Sequence, residues 1–299
     1  MVRRTPKVVT IEELTAMLAE KSSQPQLPIV RPQFAVLERS NSAFAESLDI
    51  DTPIRFLEPR FGLLRKGKLR GVINLIDRTL EAPTLVFMAG GTIIQPLECS
   101  GDLEIQGFML ESELLTEIFQ NRLPPTFNGQ VQDFFLSADA STIDKISQIF
   151  QSLIAIVKEA DYNREVAKSL FAAILYLYDE AYRRHEVIGG KSKSRERELF
   201  DSFIPLVNQY ARNEHNIAFY ADKLCITERY LSRVVKGVSG LSAKEWIDRA
   251  LITEAKIMLK HGNITVAGIA DELNFPNPGF FNKFFKRLVG ITPNAYREH

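Results

Sequence analysis

Lysine and arginine side chains recur at a fixed offset in the C-terminal third of this 299-residue chain. Arg233 and Lys236 are repeated 50 positions later as Lys283 and Lys286, in each case among apolar residues. Such cations neutralise phosphates, and an arginine can donate two hydrogen bonds to the edge of a guanine. The repeated cations therefore indicate contact with double-stranded DNA.

The cations belong to a longer repeat. Ala221-Asp222-x-Leu224 recurs 49 positions later, and six further positions recur 50 positions later as identical or similar residues. Those pairs are Leu231 and Phe281, Arg233 and Lys283, Val235 and Phe285, Lys236 and Lys286, Gly240 and Gly290, and Trp246 and Tyr296. Self-similarity at a fixed offset indicates two copies of one unit. Each copy has the pattern of a helix-turn-helix whose second helix bears cations on its outer face.

Local signals predict the helices of this segment. A leading helix is expected from Glu198 to Arg212, and a long helix from the capping box Ser242-x-x-Glu245 to about His261 joins two motifs at about 217–238 and 265–289. Thr227 and Asn277 are expected to cap the two recognition helices. In the second of these, four aromatic residues are expected to point inward: Phe280, Phe281, Phe284 and Phe285.

The second copy closely resembles the AraC/XylS family of bacterial transcription regulators. The resemblance rests on Ile269-Ala270-x-x-Leu273-x-Phe275, Phe280-Phe281-x-x-Phe284-Phe285-Lys286 and Gly290-Ile291-Thr292-Pro293-x-x-Tyr296-Arg297. It implies that two recognition helices enter successive segments of the major groove, with double-stranded DNA and RNA polymerase as partners. It also implies an N-terminal half that is cupin-like and binds an effector or forms a dimer.

Residue by residue, the resemblance places the base-reading positions on both recognition helices. They are Arg229, Ser232 and Arg233 in the first copy and Gly279, Asn282 and Lys283 in the second, with Lys236 and Lys286 on the same outer faces. The sequence departs from many relatives by placing Pro278-Gly279 at the front of the second helix. We therefore expect the first copy to carry more base specificity and the second more phosphate contacts. The alternative for each cation is a solvated helix face.

The N-terminal part predicts a different architecture. After an arm with a short amphipathic helix (1–32), short strands separated by turn signals run from Gln33 to about Ser112 and predict a small antiparallel barrel or jelly roll. The resemblance implies that this domain, bounded at 33–140, is cupin-like. Two long amphipathic helices are expected at Thr142–Glu159 and Asn163–His185, within a hairpin segment at 141–188. A charged linker at 189–197 leads to the DNA-binding domain at 198–299. The predicted fold class is α+β.

The hairpin carries more apolar surface than one face of a barrel is expected to cover. The surplus either packs on the barrel or forms a homodimer seam, and the dimer is the favoured interpretation.

The N-terminal part also predicts the chemistry of an effector. Residues 1–161 contain no Trp or Tyr, whereas Phe and Met are plentiful, which favours an apolar or amphipathic effector over a sugar. Candidate contacts are Phe34, Phe61 and Phe87, with Arg65, Asn74 or Arg55 as anchors for a carboxylate or carbonyl. The phenylalanines could equally fill a dry core. The histidines, at 185, 215, 261 and 299, lie outside the barrel, so neither a metal nor another cofactor is expected.

Charge, cysteine content and the length of apolar runs limit the class of protein that this chain can be. The net charge is zero, but residues 1–194 carry −3 and residues 195–299 carry +3, so only the C-terminal part is basic. Cys99 and Cys225 are expected to be reduced core residues, and the sequence has neither an apolar run of membrane-spanning length nor a signal-peptide pattern. We expect a cytoplasmic transcription activator without enzymatic activity. The alternative is a constitutive or architectural DNA-binding protein whose N-terminal domain only dimerises.

Overall fold

The computed structural model describes residues 28–40, 52–129, 131–188, 194–261 and 264–298. The short helix predicted in the N-terminal arm lies outside them. The strands are β1 (Ile29–Arg31), β2 (Phe34–Ser40), β3 (Ile54–Arg55), β4 (Arg60–Lys66), β5 (Lys68–Ile73), β6 (Ile76–Glu81), β7 (Thr84–Met88), β8 (Ile93–Cys99), β9 (Glu104–Leu110) and β10 (Asp133–Ser137).

Helices follow and then replace the strands. Those of the N-terminal part are α1 (Ser112–Ile118), α2 (Ala140–Lys158) and α3 (Arg164–Ile188). Those of the C-terminal part are α4 (Arg195–Tyr210), α5 (Ile217–Lys223), α6 (Glu228–Ser239), α7 (Ala243–His261), α8 (Val266–Glu272), α9 (Pro278–Val289) and α10 (Pro293–Glu298). The fold is α+β, as predicted from the sequence. No helix among the described residues is long and apolar enough to cross a membrane.

Two antiparallel sheets form the N-terminal part, rather than one closed barrel. The first has six strands in the order β1-β2-β9-β4-β7-β10, and the second has four in the order β3-β8-β5-β6. Side chains alternate along β4: Leu64 packs with residues of the four-stranded sheet, whereas Phe61 and Leu63 pack on the opposite face. The six-stranded sheet is therefore buried on both faces.

The helical hairpin α2–α3 covers the face that carries Phe61. Thirteen apolar or aromatic residues of the hairpin belong to this core or pack against it. They are Ile143, Ile146, Ile149, Phe150, Leu153, Ile156, Val157, Leu170, Phe171, Ile174, Leu175, Leu177 and Tyr178. The buried Tyr178 hydroxyl donates a hydrogen bond of 2.6 Å to the carbonyl of Gly62, and burial raises the pKa of this tyrosine. The apolar surplus predicted for the hairpin is therefore taken up by the sheet.

Several predicted elements differ from the observed ones. The sequence pattern of residues 71–77 predicts one strand, but the segment contains a turn between β5 and β6, because Asn74 and Leu75 turn the chain with φ of 46° and 71°. Strands β1 and β10 and helix α1 had no counterpart in the prediction. Arg195 to Arg197, predicted as linker, form the first turn of α4, whose N-cap Ser194 accepts from the Arg197 amide.

A second core holds the C-terminal helices together. It contains apolar residues of α4 to α9, including Phe203, Trp246 and Phe285. Leu75, at the tip of the β5–β6 hairpin, is buried in this same core. One side chain of the sheet region thus completes the packing of the helical region.

Candidate nucleic-acid interface

The first helix-turn-helix consists of α5 and α6. Thr227 caps α6, as predicted, by accepting a hydrogen bond from the Tyr230 amide, and Gly240 ends the helix with φ of 75°. Leu231, Val234 and Val235 are buried against α4, α5 and α7. The opposite face of α6 is consequently directed to solvent.

The second helix-turn-helix repeats this arrangement in α8 and α9. Asn277 caps α9 by accepting from the Phe280 amide at 3.0 Å, with Pro278 in the first turn, and Gly290 ends the helix with φ of 89°. Phe281 and Phe285 are buried. The capping box that opens α7 is also formed, since Ser242 and Glu245 exchange side-chain to backbone hydrogen bonds. Both motifs are therefore built from the same local signals.

The turn of each motif contains a left-handed residue at an equivalent position. Cys225 and Asn274, 49 positions apart, both have φ of 54°. Cys225 is exposed, so the expectation that it is a core residue is wrong. The reason is local: α5 ends at Lys223, before the helical period can bring residue 225 to the buried face. Cys99 is half-buried.

The predicted DNA-contacting side chains lie mostly on the exposed faces of the two recognition helices. Arg229, Arg233, Lys236, Gly279, Lys283 and Lys286 are exposed, and Ser232 and Asn282 are half-buried. The Arg233 guanidinium lies 5.0 Å from the centroid of the Tyr230 ring, which orients it along the helix surface. The Asn282 amide donates 3.0 Å to the carbonyl of Pro278, one turn earlier in its own helix.

Phe280 departs from its prediction. Its side chain was expected to point inward, but it is 61% exposed, on the same recognition helix as Lys283. It lies at the edge of the aromatic stripe, because residues 281, 284 and 285 already fill the buried face of α9. An exposed phenyl ring at the front of a recognition helix can pack on a thymine methyl group. Arg287 is a further exposed cation of this helix that the repeat analysis did not select.

A cavity of about 200 Å³ lies between the two sheets. Of the six proposed effector contacts, only Phe61 borders it, and Phe34, Phe61 and Phe87 all belong to the core under the hairpin. Arg65 is directed away, donating to Gln106 and Ser147, and Asn74 bonds Asp133 and the Ile93 amide. Composition does not show which layer each strand residue faces, because neighbouring residues of one strand face opposite layers.

Polar residues that the sequence did not single out border this cavity. They are Arg60, Arg78 and Gln106, among otherwise apolar neighbours such as Leu64, Ile73 and Met88. Arg60 is only 8% exposed, and burial lowers the pKa of its guanidinium to about 9, although the nearby Glu58 favours the charged form. Arg78 donates 3.2 Å to Asp133, whose pKa is raised by burial.

The N-terminal and C-terminal parts also meet through an ion pair. Arg55 of β3 donates to Glu254 of α7, the helix that joins the two motifs. Ile54, the neighbour of Arg55 in β3, borders the cavity. The described residues contain no group of three or more His, Cys, Asp and Glu that could hold a metal ion.

Comparison with known proteins agrees with the C-terminal architecture. Residues 220–299 match the family model of a helix-turn-helix domain. The chain is 23% identical to the arabinose operon regulatory protein of Salmonella typhimurium over 168 residues, which cover 56% of this chain and 58% of that protein. It is 30% identical to the regulatory protein PocR of the same organism over 78 residues, or 26% of each chain.

A longer alignment relates the chain to the HTH-type transcriptional regulator YtdP of Bacillus subtilis. The identity is 23% over 206 residues, covering 67% of this chain and 26% of YtdP. The chain thus spans about a quarter of the length of YtdP and PocR. Among solved structures, fatty-acid-bound ToxT from Vibrio cholerae aligns over 89% of this chain and 95% of that one, with 14% identity and a TM-score of 0.41.

The fold and the repeated motif define a protein with a tandem helix-turn-helix domain. Through this C-terminal domain the chain is similar to bacterial regulatory proteins of the helix-turn-helix type, the arabinose operon regulatory protein among them.

Proposed function

We propose that this chain is a sequence-specific transcription activator that acts in the cytoplasm and recruits RNA polymerase. The observation that carries the proposal is the repeated cationic surface of α6 and α9. Arg233 and Lys236 on one helix and Lys283 and Lys286 on the other are exposed at repeat-related positions of two similarly capped helices. Arginine at such positions supports base reading in the major groove, and lysine supports phosphate contact.

The N-terminal part acts in this proposal as a sensor for a small apolar or amphipathic effector. The cavity between the two sheets supports this role, because its lining is mostly apolar and it lies beside β3, whose Arg55 contacts α7. An effector that favours one position of β3 would therefore favour one position of α7, the helix that joins the two motifs.

Genomic footprinting of bound sites tests the DNA-binding proposal, and transcription from those promoters with purified polymerase tests activation. Discrete sites with a shared sequence are expected. Binding without any sequence preference would instead identify the architectural alternative. An affinity for the footprinted site that does not respond to effector candidates would identify a constitutive regulator.

We also propose that the protein is a homodimer that pairs through α3. Val166 is 40% and Tyr176 is 55% exposed on this helix, and Leu170 and Leu177 are half-buried beside them. Sedimentation of the wild type at micromolar concentration is expected to give a dimer, and the double substitution Val166→Glu with Tyr176→Glu a folded monomer. Gln151→Glu, at an exposed position of α2, is the matched control. A monomeric wild type, with and without DNA, would contradict pairing.

A further inference from the structure

One charged side chain at the cavity between the sheets has buried donor atoms that lack hydrogen-bond acceptors among the described residues. Arg60 opens β4 and borders the cavity, and its Nε and Nη2 atoms have no hydrogen-bond acceptor among the described residues. Its guanidinium lies over the Phe56 ring, with 4.0 Å between Cζ and the ring centroid. Buried polar groups are nearly always hydrogen-bonded, so this guanidinium is a donor suited to an incoming acceptor.

The positive charge at the cavity favours an anionic ligand. No Asp or Glu is among the described residues that border it. Of its two arginines, Arg78 is held by Asp133, whereas the partners of Arg60 among the described residues are the electrostatic attraction of Glu58 and the Phe56 ring. An anionic head group therefore gains hydrogen bonds that the described residues do not supply.

The rest of the lining selects the body of the ligand. Leu64, Ile73, Leu80, Val86 and Met88 contribute apolar side chains from both sheets. The cavity volume is about 200 Å³. A dry protein cavity of about 150 Å³ holds a benzene molecule. The space thus suits a ligand somewhat larger than benzene, with one polar end.

From these observations we infer that the cavity binds a small monocarboxylic acid with an aliphatic or aromatic body, its carboxylate on the Arg60 guanidinium. This inference rests on the proposed function, because it names the chemical class of the effector. A carboxylate accepts two parallel hydrogen bonds from one guanidinium, which satisfies the Nε and Nη2 donors together. Burial strengthens such a pair, since little water competes for it.

Calorimetric titration of the full chain with octanoate and with octanamide tests the inference. The two probes share an apolar tail and differ in the charge of the head group. We expect octanoate to bind roughly tenfold to a hundredfold more tightly, the usual gain from hydrogen bonds to a charged group. Acetate, which has the charge without the tail, is expected to show no measurable binding. Equal affinity for octanoate and octanamide, or binding of neither, would overturn the inference.

Two variants locate the binding. Arg60→Met is expected to abolish the preference for octanoate while retaining octanamide binding, because the apolar lining is intact. Arg65→Met is the matched control, since Arg65 is an exposed arginine of the same strand whose side chain does not border the cavity. Met88→Trp should fill the cavity and remove both probes. An unchanged preference in Arg60→Met, or tight octanoate binding in Met88→Trp, would place the ligand elsewhere.

The outcome separates this inference from the proposed function, because DNA binding is measured independently. A chain that binds its DNA site but does not distinguish octanoate from octanamide would refute only the ligand class. A chain that binds octanoate through Arg60 but has no DNA specificity would refute the regulator and leave the site intact.

Discussion

Arg55 and Glu254 form an ion pair that joins the sheet region to the helix between the two DNA-binding motifs. The Glu254 side chain is 4% exposed and that of Arg55 is 17% exposed. Removing one partner of a buried pair leaves a charge without compensation, whereas removing both does not. The loss of stability therefore depends on which partner of the pair is removed.

We expect Arg55→Met to lower the free energy of unfolding by roughly 3 kcal/mol, because it leaves the more deeply buried Glu254 carboxylate unpaired. Glu254→Met should cost less, since Arg55 retains some access to water. The double variant should recover most of the loss. Urea denaturation of the four proteins measures the cycle, and additive losses in the double variant would show that the two side chains are not coupled.

We expect two exposed cations to differ in role, with Arg233 reading bases and Lys286 contacting phosphates. Arg233→Ala is expected to weaken binding to the specific site by about 1–3 kcal/mol and to leave random DNA almost unaffected. Lys286→Ala should weaken both and lower the salt dependence by about one counterion. Fluorescence anisotropy on both DNAs at several salt concentrations provides the comparison. Equal weakening of both DNAs by Arg233→Ala would remove the base-reading role.

Two neighbouring phenylalanines of α9 form a matched pair. Phe281 is fully buried, so Phe281→Ala should destabilise the fold by about 3–5 kcal/mol. Phe280 is mostly exposed, so Phe280→Ala should leave the unfolding transition nearly unchanged and weaken binding to the specific site. Thermal unfolding and DNA titration distinguish the two effects. Loss of stability without loss of DNA affinity in Phe280→Ala would contradict its position at the interface.

Octanoate binding should depend on pH above neutrality. Burial lowers the pKa of Arg60 in the free protein to about 9, so the binding-competent charged form is lost as the pH rises through this value. Affinity should be level between pH 6 and 8 and fall by roughly tenfold between pH 9 and 10. Glu58 opposes this loss, and Arg78 is held by Asp133. Octanamide binding, measured alongside, should be level throughout; a parallel fall of both probes would indicate unfolding instead.

The DNA-binding motifs are predictable from the sequence because their signals are local. Thr227, Asn277 and the Ser242-x-x-Glu245 box fix helix starts within one turn of chain, and Gly240 and Gly290 fix the ends. Phe280 is the exception, since a count of aromatic residues does not reveal which of four can fit on one buried face.

The cavity is less predictable, because it depends on which layer each strand residue faces. Aromatic composition indicates an apolar interior, but Phe34 and Phe87 lie under the hairpin and Arg60, at the start of a strand, resembles a surface cation in the sequence. The turn at Asn74 and Leu75 is hidden for a related reason. A leucine with φ of 71° has no local signal, and its burial in the other core stabilises the turn.

Leu75 makes the two halves of the chain poor candidates for exchange with those of a relative. Its side chain fills a place among Phe200, Phe203 and the other residues of the helical core, although it is encoded more than a hundred positions earlier. A recombinant that joined residues 194–298 to a foreign sensor would lack that side chain and leave a gap beside α4. Modular shuffling of sensors and DNA-binding domains would therefore have to carry the tip of the β5–β6 hairpin along, or replace the apolar residues that receive it.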